Sequence, residues 1–112
     1  MTCIKQLQTF FEASTRNIWL EDKQLHVYVR KGRRYLEKDT REIVSTLDIA
    51  SIEVCKPGKG IGTLFINEAH KINPFFGTYI ESILNDKFLR HLLTKGWISV
   101  EGSTPPCVYK KV

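Results

Sequence analysis

No run of apolar residues in this sequence approaches the ~20 that a bilayer span requires, so no helical membrane span is expected. The opening residues, MTCIKQLQTFFEAST, lack the basic, then apolar, then small-residue layout of a secretory leader, and a cytoplasmic protein is expected. Cysteine is scarce. Cys3, Cys55 and Cys107 are odd in number and far apart, which argues against a disulfide framework and for reduced thiols. No two Cys or His residues stand at metal-ligand spacing, and His26, His70 and His91 are isolated, so no bound metal is expected. Repeats and low-complexity segments are missing too. A length of 112 residues makes one domain with a real core, but not two.

What the chain has in excess is positive charge, +5 in all, which invites an anionic partner: nucleic acid, an acidic protein or a phosphorylated ligand. The basic residues gather in RKGRRYLEKDTR, Arg30 to Arg41, and again in the segment PGKGIG, Pro57 to Gly62. The first group reads as the solvated tip of a hairpin, and nucleic acid is not expected as a partner.

Periodicity orders the rest. Cys3, Ile4, Leu7, Phe10 and Phe11 fall at helical spacing and predict an opening amphipathic helix. Leu25, Val27 and Val29 alternate with polar neighbours as a strand does, with a bend at Lys31–Gly32 and an irregular return through RRYLEKD. EIVSTLDIASIEV predicts a longer strand, with Leu47 and Ile49 on one face and Ala50, Ile52 and Val54 on the other, as in a sheet covered on both sides. Ile61, Leu64, Phe65, Ala69 and Ile72 follow helical spacing from about Gly60 until Pro74 ends the pattern. TYIESIL is the next strand. Asn85 then caps a helix carrying Phe88, Leu89, Leu92 and Leu93, with Gly96 as its terminator. WISV and CVYKKV close the chain as two strands joined through EGSTPP.

The segment between Val54 and Thr63 carries the chemistry. Three glycines interleaved with lysines, placed between a strand and a helix, leave free backbone N–H groups at the helix N-terminus, where an anion such as pyrophosphate fits. A G-x-x-x-x-G-K-[ST] loop does not match. Nor does G-x-G-x-x-G, because counting from Gly58 or Gly60 puts Thr63 or Phe65 where the third glycine belongs. The loop of acetyl-coenzyme A binders, Arg/Gln-x-x-Gly-x-Gly/Ala, matches at Gly60 and Gly62.

With that loop, and with NDKFLRHLLTKGW placing Asn85, Gly96 and Trp97 at the offsets of a second motif (Asn-x-x-Ala-x-x-Phe-Tyr-x-x-x-Gly-Phe), the chain resembles the GNAT superfamily of N-acetyltransferases, and looks like its small phage-type members. The resemblance covers about Leu25 to Val112, leaving the N-terminal helix and lead-in, residues 1–24, outside it. It implies a single α/β (α+β) domain: a mixed, mostly antiparallel twisted sheet flanked by helices, splayed between the strands ending at Val54 and Ser82. It also implies acetyl-CoA as cofactor, held by Val54, Cys55, Lys59, Gly60, Ile61, Gly62, Thr63, Asn85, Phe88 and Leu92, and acetyl transfer by direct attack of an amine. Two positions depart from the pattern. Pro57 takes the Arg/Gln place, leaving Lys56 or Lys59 for side-chain contact with phosphate, and Leu92 replaces the tyrosine that serves as acid to the departing thiolate.

Three residues are candidates for proton transfer. Glu53, one residue from the end of an apolar strand, is the first candidate base, since desolvation there would raise its pKa toward neutrality; the alternative is an ion-paired structural carboxylate. Glu81 is the second carboxylate and Tyr109 a candidate acid, while Asp48 reads as structural. The acceptor, an amine on a protein or a small molecule, is left open, as is self-association. The alternative function is a GNAT-like binding module, weakly active or inactive, acting on a protein or nucleic acid through the basic face.

Overall fold

The computed structural model describes residues 1–36 and 41–112. In chain order the elements are α1 (Thr2–Glu12), β1 (Asn17–Glu21), β2 (Leu25–Arg34), β3 (Val44–Val54), α2 (Ile61–Ile72), β4 (Gly77–Ile80), α3 (Asp86–Thr94), β5 (Ile98–Ser99) and β6 (Val108–Lys111). The strands form one sheet in the order β1-β2-β3-β4-β6-β5. Every neighbouring pair is antiparallel except β3 with β4, which the α2 crossover makes parallel. The expected α+β sheet with flanking helices is thus observed.

All three helices contribute to one core on one face of the sheet. Leu7 and Phe10 of α1, Phe65, Ile66 and Ala69 of α2, and Leu92 of α3 pack with Leu25, Val27, Val29, Leu47, Ile49, Ile80 and Val108. The N-terminal helix and β1, with Cys3 and Leu20 buried, belong to this same core. The opposite face carries Tyr28, Arg30 and Arg34 of β2 and Thr46 and Asp48 of β3, with a small second cluster of Leu36, Tyr79 and Tyr109.

Two expectations about the long strands are corrected. Strand β2 does not bend at Lys31–Gly32 but pairs with β3 through Arg34; the remainder of the RRYLEKD return reaches beyond the described residues at 37–40. The apolar residues of β3 do not fall on both faces. Val29 pairs with Ile49 and Tyr28 with Ser51, so the register skips Ala50. That bulge adds one residue and resets the alternation, placing Ile52 and Val54 on the face of Leu47 and Ile49. The other face is therefore free to be polar.

The helix ends follow local chemistry. The side chain of Asn85 caps α3 by accepting the Phe88 N–H at 3.1 Å. At its other end the Trp97 N–H bonds the Leu92 carbonyl and the Gly96 N–H that of Leu93, a Schellman closure. Helix α2 passes to β4 through buried Asn73, whose Nδ2 donates to the Gly77 carbonyl at 2.9 Å and to Thr78 Oγ1 at 2.8 Å.

Candidate functional site

Strand β4 is shorter than TYIESIL predicts. Its pairing with β3 ends at Ile49↔Ile80, with one further bond from the Glu81 N–H to the Ile49 carbonyl at 3.0 Å. Ser82 then takes a positive φ of 53°, its N–H meets Cys107 Sγ at 3.5 Å, and the Ile83 N–H bonds the Pro106 carbonyl at 2.8 Å. The chain after Ile80 thus leans toward β6. Strand β3 continues to Val54, and from Ala50 onward its far edge has no strand partner among the described residues. The sheet is splayed where the sequence predicts it.

The glycine loop stands at the open end of that splay. Gly58 and Gly60 have φ of 90° and 73°, and no heavy atom lies within 4 Å of where a Cβ would sit on either. Glycine is required there by backbone conformation, not by packing, and the space above the loop is open. Gly60 is the N-cap of α2 and supplies no side-chain cap, so the N–H groups of Ile61, Gly62 and Thr63 are left for another acceptor. A Cβ on Gly62 would meet Val54 Cγ2 at 3.4 Å, which shows how closely the first turn of α2 rides on the end of β3. Beside the loop, a cavity of about 290 Å³ is lined by Lys23, Lys56 and Lys59 together with Gln24, Val54, Cys55 and Ile61. Lys23, on the β1–β2 turn, was invisible to motif reading because its partners lie more than thirty positions away.

The candidate cofactor residues divide in two. Val54, Cys55, Lys59, Gly60, Ile61, Gly62 and Thr63 gather at the end of β3 and the start of α2, and Asn85 and Phe88 stand at the start of α3. Leu92 does not join them: at 2 % exposure it is enclosed in the main core. The three cysteines are free thiols; Cys3, buried beside Asp22, has its pKa pushed up to about 12, chiefly by desolvation.

The proton-transfer candidates are rearranged. Glu53 is exposed rather than desolvated, because the bulge turns it to the helix-free face opposite His26. Glu81 is ion-paired: Arg30 and Arg34 both donate to it, the latter at 2.7 Å. Tyr109 is buried at 8 % exposure and paired with Tyr79 on β4, one strand removed from the splay. Asp48, 3 % exposed, is structural as expected. It accepts from Arg34 at 2.9 and 3.2 Å and from Thr46 Oγ1 at 2.7 Å. Burial by itself would lower the Arg34 pKa, but Asp48, Tyr79 and Glu81 more than offset this and hold it above its usual value. Its guanidinium also lies 3.8 Å from the centre of the Tyr79 ring. This Arg30–Glu81–Arg34–Asp48 network ties β2 and β3 to the residue that follows β4, at the last rung before the splay. The sequence signal for it was the Arg-x-Gly-x-Arg spacing, which sets Arg30, Gly32 and Arg34 on one face of a strand.

No family model and no curated protein matches the chain. Three solved structures do. One is a point mutant of the AtaT toxin bound to the C-terminus of the antitoxin AtaR and acetyl-CoA, with TM-score 0.60 and 11% identity over 79% of this chain. The chain spans 58% of that AtaT chain. The second is the KacTA–DNA complex, with TM-score 0.59 and 14% identity over 98% of this chain and 77% of the other. The third is a point mutant of KacT, with TM-score 0.54 and 15% identity over 96% of this chain and 82% of the other. AtaT and KacT are GNAT-fold proteins, and the likeness shows that this chain has that fold.

Proposed function

We propose that the chain is an acetyl-coenzyme A dependent N-acetyltransferase acting on an amine acceptor. The observation that carries this reading is the edge of β3 from Ala50 to Val54, unpaired among the described residues and ending at a glycine loop and an uncapped helix N-terminus. An open strand edge accepts an extended, amide-bearing arm as an added strand. The N–H groups of Ile61 to Thr63 suit a pyrophosphate, and Lys23, Lys56 and Lys59 supply positive charge where Pro57 supplies none. The residues present therefore fit coenzyme A, and Asn85 and Phe88 at the start of α3 are assigned to its pantetheine arm. When bound, the coenzyme supplies an acetyl group activated as a thioester. The complex of the fold neighbour AtaT with acetyl-CoA supports the same assignment.

Transfer joins the amine nitrogen to the acyl carbon and releases the thiol, so the amine loses a proton and the sulfur gains one. Glu53, exposed at the end of β3, takes the amine proton through water. Glu81 is assigned a positioning role, since its carboxylate is occupied by Arg30 and Arg34. No described residue is assigned as acid, so the departing thiolate would take its proton from solvent.

Calorimetry and thiol release together test the reading. Gly60→Asp places a side chain and a negative charge at the loop and should abolish measurable acetyl-CoA binding. Glu53→Gln should bind normally and lose roughly 10²–10⁴-fold in turnover, the usual contribution of a positioned base. Equal binding by wild type and Gly60→Asp would remove the cofactor assignment. The burial of Leu92, where the resembled motif has tyrosine, favours a second reading as a binding module. Tight acetyl-CoA binding with no thiol released to any amine would leave that module standing.

A further inference from the structure

The helix-free face holds a second, larger cavity of about 1080 Å³, beyond the site described above. Arg33, Arg34 and Arg41 line it, with Tyr35, Tyr79 and Tyr109 among its walls. We propose that this cavity is the acceptor site, and that it selects a small amine with an apolar body and an oxyanion, a carboxylate or a phosphate. The inference rests on the transferase reading and names the acceptor class for it.

Its position comes first. Tyr79 lies on the cavity wall, and Glu81 follows it by two residues on the same side of the chain, about 6–7 Å along the strand. Arg34 belongs to both places, lining the cavity while donating to Glu81 and Asp48 at the splay. An acceptor seated against the tyrosines can therefore direct its amine toward the end of β3, from the face that carries Glu53.

Charge and size come second. Within the Arg30–Arg34–Asp48–Glu81 network two guanidiniums meet two carboxylates, so the network is balanced. Arg33 and Arg41 lie outside it, both exposed, and make no ion pair with any described residue. Among the described lining residues they outnumber the one acidic residue, Glu101. A guanidinium fork binds carboxylate or phosphate in a bidentate manner, which a neutral tail cannot exploit. The volume matches the upper end of small-molecule sites, about 300–1,000 Å³, and Leu36 and the tyrosine rings give it apolar walls.

The test titrates matched amines into the protein loaded with coenzyme A, with affinity read by calorimetry and, in parallel, thiol release read with acetyl-CoA. The probes are benzylamine, para-aminomethylbenzoate, para-aminomethylphenyl phosphate and a short acidic peptide. At least one oxyanion probe should bind tenfold or more tightly than benzylamine, and the better of the two identifies the anion. The doubly substituted Arg33→Ala/Arg41→Ala protein should lose that preference while retaining its thermal transition. Benzylamine binding as tightly as both oxyanion probes, or an unchanged preference in the double variant, would overturn the proposal. So would an acidic peptide that binds more tightly than either small probe. An oxyanion preference without thiol release supports the site and removes the transferase reading; thiol release from all amines alike does the reverse.

Discussion

The two faces of the β2–β3 ribbon are built from alternate residues of the same strands, yet they do different work. On one face Leu25, Val27, Val29, Leu47 and Ile49 are covered by helices and exclude water. On the other, Arg30, Arg34, Asp48 and Glu81 hold one another across three strands. Burial of apolar area gives the first face its stability, and size matters more there than shape. The second face gains little net energy from its ion pairs, because desolvation offsets much of the attraction, but the pairs fix where each charge stands. One face holds the domain together; the other fixes its charges in place.

The sharpest way to break this comparison is to truncate on the covered side. Phe65→Ala removes a fully buried ring and should cost about 3–5 kcal/mol in denaturant unfolding. The expected cost on the polar face is smaller and of another kind. A Cβ on Gly32 would stand 2.2 Å from Asp48 Oδ2, so Gly32→Ala must displace the carboxylate and should cost about 1–3 kcal/mol. In an Asp48→Ser background most of that cost should vanish. A double-mutant cycle with no coupling would show that the glycine does not serve the carboxylate.

The smallest effect is a pH slope from the covered face. His70 lies over Thr78, Nδ1 to Oγ1 at 2.8 Å, and against Trp97, with Lys110 and Lys111 nearby. Desolvation first, then Lys110, hold its pKa below 6.5. The unfolded chain, with an ordinary histidine, binds a proton more readily. Stability is therefore full above about pH 6.5 and declines as pH falls toward the depressed folded value. His70→Gln should remove that portion of the slope in melts at pH 5 to 7.5, and an unchanged slope would place the dependence elsewhere.

Helices α2 and α3 were legible because their signals are local: apolar spacing, an Asn cap, a glycine stop. The fold class came with the family resemblance carried by the loop between β3 and α2 and by Asn85, Gly96 and Trp97. Strand β1 went unread because NIWLE buries only Leu20 and has no alternation to reveal it. The bulge at Ala50 was hidden for a related reason. An inserted residue changes phase without changing composition, and one unread phase shift carried Glu53 from a buried strand end to an exposed one. For the Arg34 network the Arg-x-Gly-x-Arg spacing marks only the basic half, because its carboxylates, Asp48 and Glu81, are brought to it by sheet order alone.

Strand β6 comes last in the chain yet lies inside the sheet, between β4 and β5. Sequential strands β1, β2 and β3 form a meander whose pairings close over short stretches of chain, so they can assemble early and quickly. The C-terminal part has no such local route. Strands β4 and β5 are bridged only when Val108–Lys111 slots between them, and the Ile83 N–H finds the Pro106 carbonyl only then. During synthesis the second wall of the splay is therefore set after the meander. Until it is, β4 is an open edge bearing Thr78 and Ile80, the kind of unpaired strand that recruits other chains.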